Sequence, residues 1–366
     1  MSDLIVHFNL DEGVLAHMTS AVQLGFITGT FTYALLAIAD RLSPSKVFLS
    51  SALLGSIFNL LIIRDGNSYL SLLMLRFLTG FFLAGIYPVG MKIAADYFKQ
   101  GLGKSLGYLV GALVLGTALP HLLKELTQEL AWQSVIVATS ILAAFGGILL
   151  VILVSDGPYR KAGKKLDIFA FSKVFKDKQF RSAALGYFGH MWELYAFWAF
   201  VPTMLIYYND MHPTVQFNVP VLSFLIIGVG GLSCILSGYL SEHWGVKQTA
   251  FIALILSCSC CLFSPIIFLY GSQLVFILFL IFWGMMVIAD SPLFSTLVAN
   301  SAPTEIKGTA LTIVNCIGFA ISIVSIQLLG YIASTSNGHY LYTALSLGPL
   351  IGLLILSKSL RTDSRL

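Results

Sequence analysis

Charge is what this chain has least of. Asp, Glu, Lys and Arg make up 10% of its 366 residues, where a soluble domain carries about 25%. So few charges cannot cover a water-facing surface, and a soluble globular protein is excluded. The net charge of +4 offers no basic face for nucleic acid, so no nucleic-acid partner is expected. Cysteine is also scarce. Cys234, Cys258, Cys260, Cys261 and Cys316 all lie in apolar runs, without zinc-type spacing or supporting histidines. They read as small packing residues, and neither a metal site nor a disulfide framework is expected. The loops lack HExxH, GxSxG and acids paired at metal spacing, so the chain is not expected to be an enzyme, and no cofactor is implied. A basic, cleavable leader is missing from MSDLIVHFNLDEGVLA at its start.

Apolar sequence is what it has instead: 57% hydrophobic residues and a mean hydropathy of +0.87. Runs long enough to cross about 30 Å of hydrocarbon fall at 17–38, 47–63, 69–91, 104–123, 133–154, 182–206, 220–240, 249–269, 272–298, 308–333 and 341–357. Backbone groups in lipid must be satisfied within a segment, so each run predicts a helix. The short alternating segments of a membrane barrel do not occur. The chain is expected to be an all-α membrane protein with eleven spans.

Basic residues set the orientation. When alternate loops are assigned to opposite sides, 18 of the 21 Lys and Arg fall on one side. That side includes the cluster from Arg160 to Arg181 and the C-terminal Lys358, Arg361 and Arg365. It is expected to be cytoplasmic, at the inner (plasma) membrane of the cell. The basic loop 156–181 divides the chain into a bundle at 1–155 and a second at 182–366.

The two bundles repeat. Gly80 and Pro88 in RFLTGFFLAGIYP match Gly284 and Pro292 in WGMMVIADSP at an offset of 204 residues. Asp40 and Arg41 in the turn ADRLSPSK match Glu242 and His243 in SEHWGVK at 202. The same offset carries the helix at 182–206 to a position before Met1. The halves then hold five and six helices, which implies a six-plus-six protein without its first helix. The alternative is a true eleven-helix chain.

These features resemble the major facilitator superfamily of secondary transporters. The family's signature G-x-x-x-D-R-x-G-R-K follows its second and eighth helices. Gly238, Glu242, His243, Gly245 and Lys247 resemble it well. Asp40, Arg41 and Lys46 do so with Leu36 in place of the glycine. Arg76 with Gly80 resembles the fourth-helix R-x-x-x-G, and DYFKQGLGKSLG and PTEIKGTA resemble the family's four–five and ten–eleven loops. The fifth-helix antiporter signature is only partly present, in Gly107, Gly111, Gly116 and a late Pro120, which favours a uniporter or symporter. The resemblance implies two pseudo-symmetric helical bundles of the superfamily fold. It also implies transport of a small molecule by alternating access. The helix bundle needs no partner, so a monomer is expected.

Within that frame, Asp40, Arg41, Lys46, Glu242, His243, Gly245 and Lys247 are read as gating turns. Gly80, Pro88, Gly107, Gly111, Gly116, Gly284 and Pro292 are read as packing or bending points. Ionisable groups inside a span are costly and face pathways or partners. They are Arg76, His190, Glu193 and Asp290. Tyr187, His190, Glu193 and Phe197 share one helix face by their spacing, a face expected to line a cavity. Glu193 assisted by His190 is the expected carrier of a coupling proton. Arg76 is the expected counter-charge or anchor for a small organic anion. Trp192, Tyr195, Tyr33, Gln23 and Asn315 are further cavity candidates. Alternative readings are a proton-coupled efflux carrier and a truncated carrier without function.

Overall fold

The structure, a computed structural model, describes residues 7–8, 14–97, 102–126, 131–160, 174–303, 307–335 and 340–363, without the side chains of 15, 16, 40, 95, 102, 103, 307–309, 335 and 359–363. Among these residues the chain is helical. In order, α1 is Val14–Leu35, α2 the single turn Ile38–Arg41, α3 Pro44–Leu60, α4 Tyr69–Leu83, α5 Tyr87–Tyr97, α6 Leu102–Leu126 and α7 Gln133–Leu153. Then follow α8 Lys178–Met211, α9 Val219–Gly228, α10 Gly230–Trp244, α11 Val246–Tyr270, α12 Gln273–Ala289, α13 Ser291–Ser301, α14 Lys307–Thr335 and α15 Leu347–Asp363.

Small polar residues start these helices by accepting from otherwise orphaned amides. Ser43 begins α3, with Pro44 behind it. Ser68 begins α4, Asp177 begins α8, Asn218 begins α9 and Ser272 begins α12. A glycine starts α11, because the backbone at Gly245 takes φ 83 and ψ 144, which a side chain disfavours.

Nine stretches among the described residues are long and apolar enough to cross a membrane. The other two expected spans, 17–38 and 182–206, fall on α1 and α8. Both are helices, of 22 and 34 residues, but they are not among the nine. Apolarity alone therefore supports nine crossings and not the expected eleven. The physical reason is polar content: α1 carries Gln23 and a series of threonines, and α8 carries His190 and Glu193. Three of the nine stretches contain an interruption. Tyr69–Ala94 spans the gap between α4 and α5, Val219–Trp244 the gap at Val229, and Gln273–Ser301 the gap at Asp290.

The described chain forms two compact units. One comprises 1–105 and 126–168, the other 106–125 and 169–366. In the first, α1 packs along α4 and α3 along α7. Glycine lets the first pair meet backbone to backbone, since a Cβ on Gly80 would collide with the Val22 carbonyl. Asn59 on α3 reaches α7, donating to Ser140 Oγ at 2.9 Å and Thr139 Oγ1 at 3.3 Å. The remaining face of α7 is bare apolar side chain, including Ile141, Phe145, Ile148 and Ile152, as lipid contact requires.

In the second unit α8 is central and packs on α13, α14 and α15. Glycines again set the approach: a Cβ on Gly189 would strike the Gly348 carbonyl, and one on Gly284 the Ile226 carbonyl. Val22 and Ile226 are themselves 204 residues apart, so the repeat extends from the two glycines to the carbonyls they touch. Residues 106–125 of α6 pack here too. Ideal Cβ atoms on Gly107 and Gly111 would lie 3.1 Å from Cys234 O and 2.9 Å from Gly231 O, so a larger residue at either position would press on the α10 backbone. Gly116 has nothing within 4 Å and faces open space.

Candidate functional site: a buried acid–imidazole core in the second unit

Three ionisable side chains in the second unit are removed from solvent: His190 and Glu193 at 1% exposure and Asp290 at 0%. The first two come from α8, one turn apart. Asp290 is the single residue between α12 and α13, with Pro292 two positions on.

Glu193 is held by three donors. Trp283 Nε1 on α12 donates to Oε1 at 2.6 Å. From α11, Cys261 Sγ lies 3.2 Å from Oε1 and Ser257 Oγ 2.9 Å from Oε2. Ser257 and Cys261 are four residues apart and so present one helix face. Ser257 Oγ is also 3.2 Å from the Leu254 carbonyl. Its one proton can point either way, so the cradle satisfies Glu193 both as a carboxylate and as an acid. Trp283 is fixed in turn by ring contacts to Phe197 at 4.8 Å and Phe279 at 5.6 Å.

His190 faces the other way. Its Nδ1 lies 2.7 Å from Asp290 Oδ1. The contact is close but off the hydrogen-bond line, so Asp290 Oδ1 gains no aligned partner from it; Asp290 Oδ2 and His190 Nε2 are also buried without one. Tyr187 and Phe294 flank the imidazole, with ring centroids at 5.9 and 6.1 Å.

The structure therefore brings Tyr187, His190, Glu193 and Asp290 into one core with Phe197. On the shared α8 face, Tyr187, His190, Glu193 and Phe197 are all at most 5% exposed. Trp192 and Tyr195 lie on other sides of α8. Trp192 Nε1 donates to Ala344 O at 3.0 Å, and Tyr195 packs on Trp198 and Phe319. Asn315 is buried on α14.

The remaining candidates belong to the first unit. Tyr33 OH is 2.9 Å from Ser51 Oγ. Gln23 is 5% exposed, and neither its amide oxygen nor its nitrogen has a hydrogen-bond partner. Arg76 on α4 has a buried Nε without one.

At the first turn, the Asp40 side chain lies outside the described residues, and Arg41 and Lys46 are exposed. The polar contacts there belong to Ser43, Asp156 and Arg160. Ser43 Oγ donates to Asp156 Oδ1 at 2.8 Å. Arg160 pairs with Asp156 Oδ2 at 2.8 Å and donates to Leu42 O at 2.7 Å. Leu36 stands in the glycine place of the signature, and the next residue, Ala37, takes the left-handed φ of 50. At the second turn Glu242 and His243 are exposed, Lys247 is half-buried, and Gly245 carries the positive φ.

Trp283, Ser257 and Cys261 were missed. The cysteines of SCSCC at 257–261 read as packing residues, and the spacing of four between the Ser257 hydroxyl and the Cys261 thiol is the available signal.

A family profile, that of the Major Facilitator Superfamily, matches residues 1–326. The chain belongs to this superfamily. It is therefore a multi-pass membrane transporter of the secondary type and not an enzyme. Among solved structures, the chain resembles a substituted form of the E. coli fucose:proton symporter FucP. The TM-score is 0.66 over 98% of this chain and 93% of that one, at 11% identity, which establishes the shared fold. Comparison with curated protein sequences returns no match.

Proposed function

We propose that this transporter moves a small organic anion together with protons by alternating access, as a monomer. The central loop and C-terminus would be cytoplasmic. One observation carries the reading: three ionisable side chains, each at most 1% exposed, share one bundle of the second unit. Burying such groups costs at least about 2.5–3.5 kcal/mol each. Packing alone could be achieved more cheaply with apolar residues. An acid and an imidazole are the side chains that exchange protons near neutrality. The likeness to a fucose:proton symporter agrees with proton coupling; the shared property is the fold, and the sugar does not come with it.

The first unit supplies the groups suited to the solute. Arg76 would meet an anion, with Gln23 and Tyr33 as hydrogen-bonding neighbours on the same unit. The breaks at Ala84–Ile86 and Asp290 give the paired halves places to bend. Gly245 and the Ser43–Asp156–Arg160 cluster would hold the cytoplasmic turns.

The test is uptake into proteoliposomes with an acid exterior, against a panel of monocarboxylates, dicarboxylates and sugar acids. Saturable accumulation that collapses with a protonophore supports the proposal. Accumulation indifferent to the pH gradient for every solute in the panel contradicts it.

A further inference from the structure

The two buried acids of the second unit are not equivalent. Glu193 already has three partners, on α11 and α12, and sits away from any helix break. Asp290 has a free oxygen, Oδ2, and occupies the break between α12 and α13. It stands at the N-cap position of α13, where a carboxylate normally accepts from the first amides. Here its side chain caps nothing and is turned instead to His190 on α8. The only cationic partner recorded for Asp290 among the described residues is that imidazole.

We infer that the His190–Asp290 pair is the proton-exchanging element of the core, and that its protonation releases the α12–α13 break from α8. Glu193 is then a positioning residue that fixes α8 to α11 and α12. This assignment rests on the proton-coupled reading above and deepens it. The closed pair carries one proton, on the imidazole, beside the Asp290 carboxylate. A second proton, taken from water, adds at Asp290 Oδ2. The ion pair becomes an imidazolium facing a neutral acid, and the attraction falls. An uncompensated buried imidazolium is costly, so this form favours an opening of the break to water. Asp290 is then free to leave His190. Loss of the proton to water restores the pair.

Other titratable groups near the pair do not replace it. Tyr187 and Glu193 share α8, and Cys234 on α10 donates to Ile288 O at 3.5 Å, two residues before Asp290. Cys258 and Cys261 approach from α11, Cys316 belongs to α14, and α15 meets α8 there through Gly348 and Gly352. Tyr187 and the cysteines are weak acids, and the Glu193 carboxyl is already engaged by Ser257, Cys261 and Trp283.

The test needs no solute. The protein in lipid nanodiscs is examined by infrared difference spectroscopy between neutral and acidic pH, reading the C=O stretch of a newly protonated carboxylic acid. The expected band is present in the parent, absent in Asp290→Asn and retained in Glu193→Gln. In His190→Gln it should move by one pH unit or more. If Asp290→Asn does not give monodisperse protein, the His190→Gln shift decides. A band that survives Asp290→Asn, vanishes in Glu193→Gln or ignores His190→Gln overturns the assignment. If the band behaves as expected while proteoliposomes show no proton-driven uptake, the transport reading fails and the pair stands.

Discussion

Trp283 Nε1 lies 2.6 Å from Glu193 Oε1, a direct bond between α12 and α8 across 90 positions of sequence. An indole N–H can only donate, so it needs an acceptor when buried. Removing it in Trp283→Phe takes one donor from a carboxyl with no cationic partner among the described residues. A loss of about 1–3 kcal/mol is expected, read as a lower melting temperature in detergent. Glu193→Gln should cost less, because an amide oxygen can still accept from Trp283 while Ser257 turns its proton to Leu254 O. Combined, the two substitutions should be non-additive by at least ~0.5 kcal/mol. Strict additivity would show that the Trp283 N–H bonds the amide as well as it bonds the acid.

The glycines give a contrast within one residue type. Gly80→Ala and Gly284→Ala each place a methyl on a backbone carbonyl, of Val22 and Ile226 respectively. Overpacking of this kind costs about 1–3 kcal/mol, and both variants should lose thermal stability by similar amounts. Gly116→Ala meets open space and should be neutral or gain up to about 1 kcal/mol from helix propensity. Melting curves of the three variants check this. Equal behaviour at all three positions would contradict the packing described.

How much of this was legible in the sequence differs by residue. Gly80 and Gly284 were visible as a repeat, because the offset of 204 survives in the residues themselves, and the structure adds that Val22 and Ile226 keep it. Pro292 fits the first turn of α13, where its missing N–H costs nothing, but proline alone does not mark a break, since Pro120, Pro202 and Pro265 stand inside unbroken helices. The partners of Glu193 were not legible. Trp283 and Cys261 are distant in sequence, and nothing local marks which face of α11 or α12 turns inward. The α8 face was found by its spacing, but spacing cannot say whether a face meets a cavity or another helix. In α6, Gly107 and Gly111 announced a close contact without naming its partner, which proved to be α10.

Two turns differ in backbone strain. Gly245 holds φ 83, and Gly245→Ala should cost about 1–3 kcal/mol. Ala37 holds φ 50, which an L-residue adopts at a cost of roughly 1–2 kcal/mol. Ala37→Gly should therefore raise stability by up to ~1 kcal/mol, after the extra chain entropy of glycine is set against it. Opposite shifts in melting temperature are expected. A stabilised Gly245→Ala variant would refute the turn geometry.

The central claim is that solute and proton move together through a carrier that depends on the His190–Asp290 pair. It is tested most directly with proteoliposomes whose external medium carries a pH dye and no imposed pH gradient. A transported organic anion is added outside, so that its own gradient drives the flux. The parent protein should alkalinise the outside as protons enter with the solute, and Asp290→Asn should take up the solute without moving the dye. Solute entry with no dye response in the parent would contradict the account.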